Sequence, residues 1–252
     1  MKPLGVEYTM VDMRSPDAVR AALRPSTKMV WLETPSNPML KIFDIAALAE
    51  VARAVNVPLV VDNTFLGPVF QHPLRHGADV VLHWANAFLD GHSDGVSGVV
   101  CASETVIDEV RAKMQSWGAE PHPAAVQQLA RGLKTLSVRV AKQNSTAMVI
   151  AQWAAAVVAT NGALSAVLYP GLATECFSGY GAIITIELRD GDAAVRELLG
   201  RLQRFHVRDA DLTARLGGVE SVASALPEGS VRLNIGLDEA STLIGDLTQA
   251  LE

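Results

Sequence analysis

Two short polar segments carry the side chains best suited to chemistry. Asp62 directly follows the apolar run PLVV at 58–61. A carboxylate at the end of a buried strand either caps a loop or faces a ligand nitrogen or a metal ion. The segment ETPSNP at 33–38 places Asn37 between two prolines, which restrict the backbone around that amide. A rigid binding loop and a simple turn are both consistent with this pattern.

Other reactive residue types lack the spacing that a site requires. His72 and His76 are four residues apart, yet no acidic partner stands at metal-ligand spacing, so no metal site is expected. The two cysteines, Cys101 and Cys176, predict free thiols in a reducing cytoplasm and no disulfide framework. The sequence contains no P-loop, no GxGxxG and no GxSxG, so nucleotide binding and a hydrolase elbow are not supported.

Composition excludes further classes of function. The 252 residues are 49% hydrophobic and 19% charged, with a net charge of −6. Such a chain can bury a core, and it lacks the basic footprint of a nucleic-acid or membrane-surface protein. The most apolar stretch, 147–159, is too short to cross a bilayer. With no signal-peptide pattern at the N-terminus, the sequence predicts a cytoplasmic protein without a membrane partner.

The first half alternates short apolar runs with helical patterns. Runs at 29–32, 58–61 and 80–83 read as strands, and Asp44 reads as the N-cap of a helix that starts at Ile45. Strands of this kind favour a mostly parallel sheet with helices on both faces. Ligands bind at the carboxyl ends of such strands, which here are 33–37, 62–64 and 83–87.

The second half has a different pattern. Residues 123–159 read as two helices or one long broken helix, and an α+β pattern follows from residue 163. Ile184, Ile186 and Leu188 alternate with polar residues, which predicts a half-buried strand. The Pro-His-Pro break at 121–123 places the boundary between two domains, 1–122 and 123–252.

Nine segments, taken in order, resemble one family. They are ETPSNP (33–38), VVDNTFLGPVFQHPL (60–74), HGADVVLH (76–83), GHSD (91–94), RGLKTL (131–136), LYPGL (168–172), SGYG (178–181), LGGVES (216–221) and VRLNIG (231–236). Together they resemble the Cys/Met-metabolism, or trans-sulfuration, branch of the pyridoxal-phosphate (PLP) enzymes, such as cystathionine γ-synthase and γ-lyase. The resemblance implies an α/β large domain of the type I PLP-transferase kind, without its N-terminal part, and an α+β C-terminal domain.

The resemblance also implies roles for three residues. Asp62 would face the pyridine nitrogen of the cofactor and keep it protonated. Asn37 would lie beside the ring hydroxyl. Arg232 would bind a substrate carboxylate through its guanidinium fork.

Other positions depart from the family pattern. That pattern reads roughly His-Ser-Ala-Thr-Lys, whereas this chain reads His-Trp-Ala-Asn-Ala at 83–87. Ala87 stands where the Schiff-base lysine is expected, and Trp84 and Asn86 replace small hydroxyl residues that help hold the phosphate. Arg215 replaces a serine, and the first third of the family pattern, with its glycine-containing phosphate loop, is missing.

These departures predict a diverged homologue that does not run Schiff-base PLP chemistry. We expect no covalent cofactor, while weak non-covalent PLP binding stays open. We also expect a pocket repurposed for a small carboxylate- or phosphate-bearing ligand, with Asp62 as a candidate acid or base. The vacated lysine position is Ala87, and the ligand-binding candidates are Asn37, Trp84, Asn86, His92, Arg215 and Arg232.

Two alternatives remain. One is a non-catalytic subunit that pairs with itself or with an active paralogue, since family members form oligomers. The other is residual PLP-dependent C–S lyase or synthase activity. The sequence leaves open whether the chain is an enzyme, and it names neither the ligand nor a partner.

Overall fold

A computed structural model describes residues 5–93, 95–160, 162–173, 178–208 and 216–252. The first half forms a four-stranded sheet in the order β1 (Val30–Glu33), β2 (Leu59–Asp62), β3 (Val80–Trp84) and β4 (Gly98–Ala102). The first three strands are parallel, and β4 runs antiparallel to β3. The predicted α/β fold with a mostly parallel sheet is confirmed.

Helices connect and cover these strands. They are α1 (Pro16–Ala22), α2 (Ile45–Ala54), α3 (Gly67–Phe70), a 3₁₀ turn at Pro73–His76, and α4 (Glu104–Trp117). The predicted N-cap is confirmed, because Asp44 Oδ1 accepts a hydrogen bond of 3.0 Å from the amide of Ala47. Apolar residues of α1 and α2, Leu48 among them, pack with Leu32 and Val61 of the sheet in one buried cluster. This packing fixes the strands whose carboxyl ends form the site.

The second half has the predicted helices and α+β pattern. Two helices, α5 (Pro123–Leu133) and α6 (Leu136–Ala159), lead into a sheet of strand order β5-β6-β9-β8-β7. The strands are β5 (Leu164–Leu168), β6 (Ile183–Leu188), β7 (His206–Arg208), β8 (Val222–Leu226) and β9 (Ser230–Asn234). The remaining helices are α7 (Pro170–Ala173), α8 (Gly191–Arg201) and α9 (Ala240–Leu251).

Strand β6 differs from the prediction of a half-buried strand. Thr185, expected on a polar face, is 1% exposed, and its hydroxyl donates to the carbonyl of Pro38 at 3.3 Å. The reason is tertiary, since the loop that follows β1 covers this face of the second sheet. The face of β6 that carries Thr185 is therefore buried as well. The same hydrogen bond connects the loop containing Asn37 to the C-terminal half of the chain.

The segment after β3 packs with the C-terminal half of the chain. Ala87, Phe88 and Leu89 belong to the same buried cluster as residues of α6 and of the second sheet. The buried Arg139 of α6 donates to the carbonyls of Phe88 (2.9 Å), Leu89 (3.2 Å) and Gly132 (2.9 Å). The domain boundary at residue 122 stays a prediction. Residues 85–89 pack in one apolar core with residues that follow this boundary. Within the described ranges, no helix has the length and apolarity that a membrane crossing requires.

Candidate functional site

A small cavity opens at the carboxyl ends of β1, β2 and β3. Its volume is about 170 Å³, below the ~300 Å³ at which typical ligand pockets begin, so a compact ligand suits it. This is the place that the rule for parallel sheets predicts. The residues that line it are Glu33, Pro35, Asn37, Asp62, Thr64, Phe65, Trp84 and Leu216.

Asp62 is held in place by a tight turn after β2. Its Oδ1 accepts hydrogen bonds from the amide of Thr64 (2.9 Å) and from the Thr64 hydroxyl (2.6 Å). The Thr64 hydroxyl oxygen in turn accepts from the amide of Trp84 at 2.8 Å. Because both bonds to Asp62 end on Oδ1, and no other described residue donates to this carboxylate, Oδ2 is the oxygen left for a ligand.

A second carboxylate lies beside Asp62. Glu33 ends β1 in register with Asp62 of β2, so the two side chains leave neighbouring strands on the same face of the sheet. Burial and the negative charge of Asp62 raise the pKa of Glu33, and a hydrogen bond from Trp31 lowers it. This end of the cavity therefore carries concentrated negative charge and favours a positively charged or proton-donating group.

A buried arginine supports Asn37, one of the residues that line the cavity. Arg232 of β9 is 2% exposed, and its Nη2 donates to Oδ1 of Asn37 at 2.5 Å. The centre of its guanidinium lies 6.0 Å from the ring of Phe65, within cation–π range. Burial lowers the pKa of Arg232, because the charged form loses hydration. The site thus combines two carboxylates, Glu33 and Asp62, with a buried arginine that is hydrogen-bonded to the lining residue Asn37.

The structure brings four of the predicted site residues together. Asn37, Asp62 and Trp84 line one cavity, and Arg232 contacts Asn37. Their roles toward a ligand stay predictions. Arg215 lies outside the described residues.

Three other candidates do not line the cavity. The methyl group of Ala87 is 1% exposed and packs in the hydrophobic core. Asn86 is also buried, and its Oδ1 accepts from the amide of Ser97 at 3.5 Å. His92 is exposed and keeps its Nδ1 at 3.3 Å from the carbonyl of Asp90. Ala87 nevertheless belongs to the same apolar cluster as Phe65 and Trp84, two residues that line the cavity.

Sequence reasoning missed two polar residues of the cavity. Glu33 and Thr64 lie within the strand-end segments predicted to meet a ligand, yet neither was selected. The signal that finds Glu33 is its position, one residue past the apolar run of β1, as Asp62 follows the run of β2. Thr64 has the Asp-x-Thr spacing of a turn in which the hydroxyl contacts the carboxylate.

A larger cleft lies elsewhere, along the N-terminal segment. Its volume is about 700 Å³, and it is lined by Gly5, Val6, Glu7, Tyr8, Met10 and Arg24. Tyr8 is 64% exposed and Met10 is 86% exposed, so this cleft is an open surface. Its two charged residues, Glu7 and Arg24, pair with each other at 3.6 Å, so the strand-end cavity is the better candidate site.

Comparison with known proteins identifies the family. Residues 1–252 match the family described as Cys/Met metabolism PLP-dependent enzyme, and the chain belongs to it. Cystathionine γ-synthase from Mycobacterium tuberculosis is 36% identical over 98% of this chain and 67% of its own length. Cystathionine γ-lyase from Bacillus subtilis is 36% identical over 99% of this chain and 70% of its own. The crystal structure of metB from Corynebacterium glutamicum superposes with a TM-score of 0.88, at 34% identity over 99% of this chain and 69% of that one.

These findings correct the expectation about the cofactor. We predicted no covalent cofactor, because Ala87 replaces the family lysine and because Trp84 and Asn86 replace residues that help hold the phosphate. The family that matches the whole chain is PLP-dependent, so PLP is the cofactor that the comparisons indicate. The cavity residues fit its ring, because Asp62 offers an oriented carboxylate to a ring nitrogen and Asn37 an amide to a ring hydroxyl.

Proposed function

We propose that the strand-end cavity binds a small ligand with an anionic group, with PLP as the first candidate. We also propose that the chain does not catalyse the family reactions that need an amine at position 87. The observation that carries the proposal is the charge arrangement of the cavity. Asp62 is oriented by Thr64, and Arg232 is buried against Asn37, another residue that lines the cavity.

Each cavity residue has a specific task toward such a ligand. Asp62 accepts a hydrogen bond from a protonated ring nitrogen and stabilises its positive charge. Asn37 hydrogen-bonds a ring hydroxyl. The guanidinium of Arg232, which is hydrogen-bonded to Asn37, adds positive charge close to the cavity and so favours a ligand with a carboxylate or phosphate. When bound, PLP supplies an electron sink for reactions at the α-carbon of an amino acid.

Position 87 supports the second part of the proposal. Alanine carries no amine, and its side chain is packed in the core. A lyase or synthase of this family needs a base there to move protons between substrate carbons. No lysine is among the described residues that line the cavity, so no other amine stands ready for that step.

Exchange of Asp62 tests the ligand site. We expect Asp62→Asn to weaken PLP binding roughly tenfold, because the charge-assisted hydrogen bond to the ring nitrogen becomes a neutral one. Binding is measured by the change in tryptophan fluorescence, since Trp84 lines the cavity. The matched control is Asp108→Asn on α4, an exposed residue remote from the cavity, which should leave the affinity unchanged. An affinity of the Asp62 variant equal to that of the wild type contradicts the proposal.

A second candidate function is that of a subunit in an oligomer. Helix α4 buries none of its residues, and its Trp117 is 78% exposed. Val138 of α6 is 73% exposed, and Val126 and Leu133 of α5 are about half exposed. Exposed apolar residues on consecutive helices are typical of a protein that meets another chain. A second copy or a family paralogue would cover it.

Native mass spectrometry tests this candidate. We expect a dimer or larger species for the wild type, and a shift toward monomer for Val138→Glu, because a charge is costly in an apolar interface. The control is Val55→Glu after α2, at 49% exposure and outside these helices, which should leave the oligomer unchanged. A monomeric wild type at micromolar concentration contradicts the oligomer.

A further inference from the structure

The acidic end of the cavity contains one carboxylate that the proposed ligand contacts leave without a task. Glu33 lies in register with Asp62 on the neighbouring strand, and both residues line the cavity. Neighbouring strands are about 4.8 Å apart. Glu33 is therefore close enough to act on whatever group Asp62 binds.

The fold disfavours a negative charge at this position. Partial burial and the charge of Asp62 both raise the pKa of Glu33, and they outweigh the lowering by Trp31. The charged form of Glu33 is thus destabilised in the ligand-free protein. A bound cation at the strand ends reverses this, because it attracts both carboxylates at once.

The described lining of the cavity holds no cationic side chain. Among the described residues that line the cavity, Glu33 and Asp62 are the charged ones. Arg232 is not among the lining residues, and it donates to Asn37. The acidic end is therefore suited to a positive group that the ligand brings with it.

We propose that Glu33 is a specificity-determining residue, which together with Asp62 selects ligands that present a protonated, positively charged nitrogen to the ends of β1 and β2. This inference rests on the proposed function, because it concerns the same cavity. Asp62 accepts the N–H bond through Oδ2, while Glu33 adds a second negative charge beside the nitrogen. A ligand of the same shape with a C–H group in place of that nitrogen neither donates a hydrogen bond to Asp62 nor gains from the charge of Glu33.

The test compares two probes on three proteins. The probes are PLP and its analogue in which the ring nitrogen is replaced by C–H. The proteins are the wild type, Glu33→Gln, and the control Glu50→Gln, which changes an exposed residue of α2. Affinities are measured by tryptophan fluorescence at neutral pH, and a thermal melt confirms that each variant is folded.

We expect the wild type to bind PLP more tightly than the carbon analogue. Glu33→Gln should weaken PLP binding roughly fivefold, the effect of one partly exposed ion pair, and leave the affinity for the analogue unchanged. Glu50→Gln should change neither affinity. An equal loss for both probes, or no loss for PLP, overturns the role of Glu33 alone. Absence of binding by the wild type overturns the proposed function, and this inference with it.

Discussion

Arg139→Met is expected to lower the free energy of unfolding by about 3 kcal/mol, because it leaves two buried carbonyl groups without a donor and removes a hydrogen bond to a third carbonyl. The carbonyls of Phe88 and Leu89 lose their donor, whereas the carbonyl of Gly132 still accepts from the amide and the hydroxyl of Thr135. Arg139 itself is 6% exposed. Methionine matches the length of the arginine side chain and its apolar stem but donates no hydrogen bond. Chemical denaturation measures the change.

The same substitution should disturb the cavity. Arg139 fixes the backbone just after β3, whose last residue, Trp84, lines the cavity. We therefore expect weaker ligand binding in addition to lower stability. The matched control is Arg111→Met on α4, an exposed arginine paired with Asp108, which should change stability by less than about 0.5 kcal/mol. A destabilisation of Arg139→Met as small as that of the control contradicts the assigned role.

Ala87→Lys is expected to raise the amount of PLP that the protein retains through gel filtration at least about tenfold, since an amine next to a bound aldehyde reacts at high effective concentration. The sequence pattern of the family has its lysine at this position. Borohydride reduction followed by peptide mass mapping locates the attached cofactor. Trapping at position 87 is the expected result.

Two measurements make this result interpretable. Ala46→Lys adds an amine on the exposed side of α2 and should not raise retention. Because Ala87 is buried in the core, a thermal melt must show that the Ala87→Lys protein is folded. A folded variant that retains no more PLP than Ala46→Lys contradicts the placement of the cofactor site.

Local sequence signals predicted much of the fold. Asp44 could be identified as an N-cap, because aspartate before an apolar helical pattern typically accepts a hydrogen bond from an amide of the first turn. The runs at 58–61 and 80–83 are too short and too apolar for a surface helix, and they form β2 and β3. Thr185 was expected on a polar face and is buried, because the loop that covers β6 comes from another part of the chain. Alternating apolar and polar residues predict that one face of a strand is buried. They do not show whether a distant loop also covers the other face.

The candidate site was predictable to a similar extent. Asp62 follows a buried strand, and the strand-end rule locates it at the cavity. Asn37 was predicted from its position in a loop with two prolines. Its hydrogen bond to Arg232 joins residues that are 195 positions apart, so no local pattern predicts it. Arg232 was identified only through the family resemblance. The burial of Ala87 and the hydrogen bonds from Arg139 to the carbonyls of Phe88 and Leu89 depend on tertiary packing. The local sequence at 83–87 does not predict such contacts.

The most direct test of the account is an activity assay of the wild-type protein with added PLP. Cystathionine, methionine and homocysteine are supplied as substrates, and the release of keto acid or thiol is measured beside that of a full-length γ-lyase of the family. Because position 87 supplies no amine, we predict no turnover above the protein-free blank, together with saturable PLP binding that Asp62→Asn weakens. Turnover by the wild type at a rate comparable to the γ-lyase would contradict the account.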